Sequence, residues 1–363
     1  MTRTRFWLWL NLCLIPLSGL AQENARPDLF QLEAIPEPVQ IGLRYDDNAS
    51  RAVSLEDRLP DEIYSLNLGG EVSPRYDIFK GDLDYHLGAD QYQLYSVFDN
   101  LINDFNISIS VNPDEWSFTY KKEFYIRTSD DSDFNYFDDN NIFDIQWSPP
   151  GPRDYETGYK YYAREYFDQS NNYQSRNFVD QEILMAIQQE LDEKFSLKLE
   201  GNYNNRQFNR NPVGLENGVP VDQPGIQTDT TWSGILSAHI YFDSILQDFS
   251  FEHQRTNSNS YGFSNTVESI SWAAVIRPAS SLYLQLFFRL YSKVYDIPPL
   301  SGANLQIGYV DEDSQDLLSI KTSWEWSPQW MANLSLSRLR VESTQPGEYY
   351  ITDILALEVQ RNF

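Results

Sequence analysis

Three histidines, His86, His239 and His253, supply all the imidazole in this 363-residue chain, and none has the spacing of a catalyst. None has serine two positions later, the His-x-Ser pairing of membrane phospholipases. There is no Gly-x-Ser-x-Gly elbow to expose a nucleophile and no His-Glu-x-x-His to hold zinc. An Asp/His protease of the omptin kind has no local spacing to reveal it, so that class stays open. Otherwise the residues lead away from an enzyme, and no cofactor is expected.

Carboxylates are the abundant reactive groups. Asp130, Asp131, Asp133, Asp138 and Asp139 crowd the stretch from Arg127 to Asn140 and could gather calcium through their oxygens. The glycine and terminal glutamate of an EF-hand are absent at the required spacing. A solvated acidic loop is therefore the expectation, and no metal is assigned. Tyr159, Tyr161, Tyr162 and Tyr166 suit carbohydrate stacking, and interfacial anchoring explains them as well.

Lys and Arg number 27 against 53 Asp and Glu, a net charge of −26, which argues against a nucleic-acid partner. Yet 24 Tyr, 21 Phe and 9 Trp are too many aromatics for a disordered acidic chain. Arg3 and Arg5 precede an apolar run from Phe6 to Leu17, and Gly19-Leu20-Ala21 offers small residues to a signal peptidase. Residues 1–21 thus read as an export signal. The single cysteine, Cys13, falls within it, so the exported chain uses no disulfide, thiolate metal site or cysteine nucleophile.

The elements that must position the charges are strands. Apolar residues recur at every second position: Trp232, Gly234, Leu236, Ala238, Ile240 and Phe242 in one stretch, Leu282, Leu284, Leu286, Phe288 and Leu290 in another. Val179 to Leu191 has helical propensity, but Val179, Gln181, Ile183, Met185 and Ile187 hold period two, which predicts a strand. Sixteen such segments run from residue 39 to residue 363, the sixth at 141–148. Short connections such as Pro113-Asp114 and Ser327-Pro328-Gln329 alternate with long polar ones, Ala49 to Pro60, Arg127 to Asn140, Arg206 to Thr228 and Asp296 to Gln315. That asymmetry with an even strand count predicts an all-β fold, a transmembrane antiparallel up-and-down barrel of about 16 strands (14–18), in the bacterial outer membrane. Its partners there are outer-membrane lipid and lipopolysaccharide. Residues 22–38 form a periplasmic lead-in on this reading. The last strand, ending in Phe363, resembles the terminal strand that the barrel-assembly machinery recognises.

In that register the inward row holds Asp82, Asp84, His86 and Asp90, Asp180, Glu182 and Glu190, Lys198 and Glu200, Arg289 and Lys293, and Lys321 and Glu325. Acidic groups lead, so a solute passing inside is expected to be neutral or cationic, and polyanions are disfavoured. Both signs could instead pair across the lumen and plug it.

Gly42-Leu43-Arg44-Tyr45-Asp46-Asp47-Asn48, Asp61-Glu62-Ile63-Tyr64-Ser65-Leu66-Asn67-Leu68, Leu83-Asp84-Tyr85 and Gln91-Tyr92-Gln93-Leu94-Tyr95 together resemble the beta-barrel porin 2 group, which is linked to exopolysaccharide biosynthesis and export loci. The resemblance is clearest over the first quarter of the chain. It implies a part in polysaccharide secretion or biofilm matrix formation, with polysaccharide as a partner, and carries over no catalytic residues. The rival readings are a general or nutrient porin and a plugged structural or adhesive surface barrel.

Overall fold

The computed structural model describes residues 31–36, 39–48, 58–96, 99–129, 135–167, 177–217, 219–296, 315–342 and 349–361. The export signal, Phe363, Asp130, Asp131 and Asp133 lie outside them. The elements are β1 (Gln31–Pro36), β2 (Val39–Asp46), β3 (Asp61–Tyr76), β4 (Phe79–Tyr92), β5 (Asn100–Val111), β6 (Trp116–Ser129), β7 (Tyr136–Trp147), β8 (Arg153–Tyr166), β9 (Phe178–Asp192), β10 (Phe195–Phe208), β11 (Val213–Glu216), β12 (Val219–Asp222), β13 (Thr228–Phe242), β14 (Ile245–Ser258), β15 (Asn265–Ala279), β16 (Leu282–Tyr295), β17 (Gln315–Ser327), β18 (Trp330–Glu342) and β19 (Tyr349–Arg361).

Sixteen of these, β2–β10 and β13–β19, form one antiparallel ring in chain order. It closes where β19 pairs with β2, from Ile354 against Asp46 to Arg361 against Val39. β11 and β12 make a separate hairpin inside the β10–β13 connection. Closure leaves no sheet edge along the ring, the condition for a β-chain to cross hydrocarbon.

The two faces of the ring differ as an inside-out protein requires. Ile41 and Leu43 of β2, Ile183, Met185 and Ile187 of β9, Leu334 and Leu336 of β18, and Leu355 and Leu357 of β19 all point outward and are exposed, Met185 by 65%. Between them, Arg44 and Asp46, Asp180 and Glu182, Asn333 and Ser335, and Glu358 take the inner face. Among the described residues only seven apolar side chains are buried, against fifteen polar ones. A soluble monomer does not expose an apolar surface of this extent; lipid covers it. At the short-turn end Trp116 stacks on Trp147, with ring centres 5.6 Å apart, and Trp147 on Tyr155 at 5.1 Å. These rings form the girdle of the lipid–water boundary.

The strands tilt, so paired rows climb the wall. The inward row Tyr283, Ser323, Asn333, Glu358, Gly42, Ser65, Asp90, Asn100 and Ser129 starts beside the short turn of β16 and ends at the long-loop end of β6. Tight turns at the lower rim place Asp77 and Asp114 at φ 51° and 48°. Aspartate tolerates this left-handed region because its short polar side chain bonds locally.

Two sequence expectations change and one, the strand at 179–191, holds. The acidic loop from Arg127 to Asn140 is mostly strand: β6 runs on to Ser129 and β7 begins at Tyr136, five residues before the expected 141. Asp138 and Asp139 are therefore ladder residues, paired with Arg164 and Lys122 respectively rather than gathered in a loop. Part of the lead-in, Gln31–Pro36, is also strand and pairs with Gly70–Arg75 of β3 below the span of β2. The segment with helical propensity, Phe178–Asp192, is strand throughout.

The Tyr45-Asp46-Asp47-Asn48 run ties the first strand of the ring to the last. The Asp353 backbone N–H donates to Asp47 Oδ1 at 2.6 Å, and the Thr352 hydroxyl donates to Asp46. Asn48, 1% exposed, donates from Nδ2 to the Ile351 carbonyl at 3.0 Å. Asn48→Ala removes the side-chain donor to that carbonyl, and is expected to cost about 1–3 kcal/mol. Leu357→Arg, on the lipid row at mid-strand, is expected to cost about 2–4 kcal/mol, and Ser335→Arg, which faces the lumen, under about 1 kcal/mol. Equilibrium urea unfolding in lipid vesicles measures all three.

Candidate functional site

All thirteen positions assigned above to the inward row lie on the row opposite the apolar one. Asp82 accepts from Ser73 Oγ at 2.7 Å and faces Lys80 Nζ at 2.9 Å. Asp84 sits between Glu71 and Asn106, and His86 between Gly69 and Asp104. Asp180 takes both arms of Arg206, with Nη2 to Oδ2 at 2.7 Å. Glu182 lies opposite Lys160. Lys198 bridges Glu200 at 3.1 Å and Glu156 at 3.2 Å, and Arg289 meets Glu252 at 3.3 Å. Lys321 stands between Gln285 and Ser335, and Glu325 opposite Met331. These pairs run along the wall, between residues on the same strand or one to two strands apart. They do not tie one wall to the other.

The inner face is uneven round the ring. From β13 to β18 it is largely small and hydroxylated: Ser233, Ser237, Ser250, Ser269, Ser271, Ser319, Ser323, Ser335 and Ser337, with Ser250 bonded to Ser271 at 2.6 Å and Ser337 to Ser319 at 2.9 Å. From β4 to β10 it is charged and aromatic, and there it opens a recess of about 390 Å³ lined by Asp104, Asn106, Glu123, Tyr125, Tyr136, Asp138, Asn140, Tyr162 and Arg164. The volume lies within the range of small-molecule sites, roughly 300–1,000 Å³.

The recess is built by register. Asp104, Tyr125, Asp138, Arg164 and Phe178 are successive partners across five strands, and Asn106, Glu123, Asn140, Tyr162 and Asp180 form the next row. Arg164 holds Asp138 by two bonds, Nε to Oδ1 at 2.8 Å and Nη2 to Oδ2 at 2.9 Å, and its guanidinium lies 4.1 Å from the Tyr136 ring centre. Tyr136 stacks on Tyr125 at 5.7 Å. Asn140 Nδ2 donates to Glu123 Oε2 at 2.5 Å. Beyond it the same alternation continues: Tyr162 meets Phe178 edge-on at 5.5 Å, Arg206 lies 4.4 Å over Phe178, and Arg210 lies 4.6 Å over Phe208. Pinned guanidinium groups hold the rings at fixed pitch, because cation–π attraction and the carboxylate pair act on the same side chain. Flat apolar faces beside hydrogen-bond acceptors are the surface a sugar ring needs.

The sequence reading placed Asp138 in a loop and did not single out Asp104, Glu123, Tyr125, Tyr136 or Arg164. Period two puts Tyr162, Arg164 and Tyr166 on one face, so part of the signal was present; the strand pairing that sets Arg164 against Asp138 was not.

Two other features bear on chemistry. Ser196, His239 and Asp248 are successive partners on β10, β13 and β14, and His239 Nδ1 meets Asp248 Oδ1 at 2.5 Å. The order matches a catalytic triad. The geometry does not: Ser196 is 3% exposed and its hydroxyl makes no hydrogen bond. The connection from β10 to β13 carries the β11–β12 hairpin, whose base is fastened to the neighbouring loop, with Val213 N–H donating to Ser260 Oγ at 2.9 Å and Tyr261 N–H to the Val213 carbonyl at 2.7 Å.

No family model matches the chain, and no similar sequence is found among curated proteins. Solved structures do share its architecture. It is similar to a loop L8 deletion mutant of OmpT, an outer-membrane protein of Vibrio cholerae, with TM-score 0.53 and 9% identity over 93% of this chain and all of that one. It is similar to OmpT of Vibrio cholerae expressed in the outer membrane, with TM-score 0.52 and 9% identity over 94% of this chain and all of that one. At such identity the likeness is one of fold. A closed sixteen-strand ring with an apolar exterior, an aromatic girdle and a polar interior places the chain in the bacterial outer membrane as a porin-like β-barrel channel.

Removing the one cation from the recess should shift ion preference. Arg164→Ala leaves Asp138 without its partner beside Asp104 and Glu123, and the reversal potential of single channels in a KCl gradient is expected to move toward stronger cation selectivity.

Proposed function

We propose that the barrel is a conduit for a neutral polyhydroxylated chain, and that it takes part in exopolysaccharide export to the cell surface, as transport rather than catalysis. The observation that carries the reading is the recess, where Tyr125, Tyr136 and Tyr162 offer ring faces beside Asp138, Asn140 and Glu123. Stacking on a ring face together with acceptors for hydroxyl groups recognises sugars without needing charge. The excess of carboxylates on the inner rows disfavours polyanions, and the lateral course of the ion pairs supports an open lumen. The resemblance of residues 42–125 to the beta-barrel porin 2 group points the same way.

A second reading, a porin for small cationic or neutral solutes, is favoured by one feature, the acidic row Glu71, Asp84, Asn106 and Glu123, in which no cation stands.

Neutral oligosaccharides added to planar bilayers are expected to interrupt the single-channel current, and Tyr136→Ala with Tyr162→Ala to weaken that block at least tenfold. Deleting the gene is expected to reduce secreted matrix. Normal matrix together with a defect in small-solute uptake would transfer the assignment to the porin reading, and a barrel without measurable conductance would replace both with the plugged surface protein.

A further inference from the structure

The outward row, mostly apolar at mid-strand, is broken on one wall by a charged cluster. Lys122 of β6 and Asp139 of β7 face lipid, since they share their rows with Tyr120, Phe124, Phe137 and Phe143. They form an ion pair with side chains 19% and 30% exposed. Asn141 joins them, accepting from Lys122 Nζ at 2.9 Å and from the Tyr120 hydroxyl at 3.0 Å, and donating to Asp139 Oδ1 at 2.9 Å. On the adjoining strand Asn103 accepts from the Tyr85 hydroxyl at 3.0 Å.

Depth makes this cluster unusual. Lys122 is six residues from Trp116 and seven from Ser129, and Asn141 is six from Trp147. At about 3.3 Å per residue along a tilted strand, both sit roughly 15 Å above the tryptophan girdle, near the middle of the hydrocarbon. The outward pairs His253–Glu268, 3.4 Å apart, and Arg338–Asp353, 2.8 Å apart, lie nearer the long loops: His253 is five residues from the long-loop end of β14 and Arg338 four from that of β18, against seven for Lys122 on β6. Across the ring the mid-strand outward residues of β16 to β19, among them Leu286, Phe288, Ile320, Thr322, Leu334 and Leu357, carry no charge.

Acyl chains offer nothing to such a cluster, and ionisable residues at this depth are costly unless covered. An anionic headgroup fits poorly, because Asp139 already neutralises Lys122. A cation fits poorly for the converse reason. What complements a cation and a carboxylate set side by side is a surface carrying both signs at the same depth, and a second copy of the same barrel in the same membrane supplies this by construction. A two-fold axis along the membrane normal lays the patch on itself. Ile109, Tyr120, Phe143 and Tyr159, each 41–51% exposed, give the cluster an apolar surround that would exclude lipid and water. We infer that the outward face of β5–β7 is the contact between two copies of this chain, with Lys122, Asp139 and Asn141 at its centre.

Site-directed cross-linking in native outer membranes tests this, in a Cys13→Ser background so that each introduced thiol is the only one. Asn141→Cys is expected to give an oxidation-dependent species of twice the chain mass. Leu286→Cys, seven strands round the ring from Asn141, is expected to give none. The double substitution Lys122→Leu with Asp139→Leu puts apolar groups on the lipid row and should leave the heat-sensitive gel mobility of a folded barrel intact, while native mass spectrometry of the extracted protein shifts from dimer to monomer. Failure of Asn141→Cys to cross-link above the Leu286→Cys level overturns the inference. So does a double variant that remains dimeric, or cross-linking of Asn141→Cys only to a different protein.

Discussion

A peptide group without a hydrogen-bond partner costs several kcal/mol in hydrocarbon, and the whole molecule follows from avoiding that cost. A β-chain meets the condition only as a ring, because any open edge would carry a row of unpaired N–H and C=O groups through the membrane. The demand is severest where the last strand must find the first, since those strands are farthest apart in sequence. Here the seam is reinforced beyond the ladder: Asp46, Asp47 and Asn48 reach across the β2–β19 junction to Thr352, Asp353 and the Ile351 carbonyl. The polar run Asp46-Asp47-Asn48 is thus a closure device, its carboxylates accepting from the Thr352 hydroxyl and the Asp353 N–H across the seam.

Once the ring exists, side chains sort by parity alone. One parity must be acceptable to lipid, and the other is free to hold charge. This explains how a chain with a mean hydropathy of −0.51 belongs in a membrane. It also explains which parts were legible in advance. Val179 to Leu191 is composed of helix formers, yet the alternation of Ile183, Met185 and Ile187 with Glu182, Leu184 and Ala186 decides it as strand, because a helix would mix those rows around its circumference. Inward placement of Asp180, Lys198 or Arg289 follows from the same parity.

What parity does not provide is the neighbour. Arg164 and Asp138 are 26 residues apart, and their meeting depends on where β7 and β8 start relative to each other. The ends of the stretch from Arg127 to Asn140 read as loop in the sequence for a related reason. Its aspartates and asparagines look like solvent seekers in isolation, and they are tolerable in a ladder only because Arg164, Lys122 and Glu123 stand across from them. Local propensity argued for a turn, and pairing across strands overruled it.

The same lateral logic shapes the lumen. A guanidinium that bonds a carboxylate on the adjacent strand keeps its flat face available to an aromatic ring, as Arg164 does with Tyr136 and Arg206 with Phe178. Pairing along the wall neutralises charge without sending side chains across the pore, so electrostatic satisfaction and an open interior are compatible. A lumen built this way presents a continuous strip of ring faces and half-satisfied oxygen atoms on one side and a lawn of small hydroxyl groups on the other. On the proposed reading, such a surface would hold a hydroxylated chain weakly at many places and tightly at none. Passage requires this balance, since a solute bound strongly at one site would stop there.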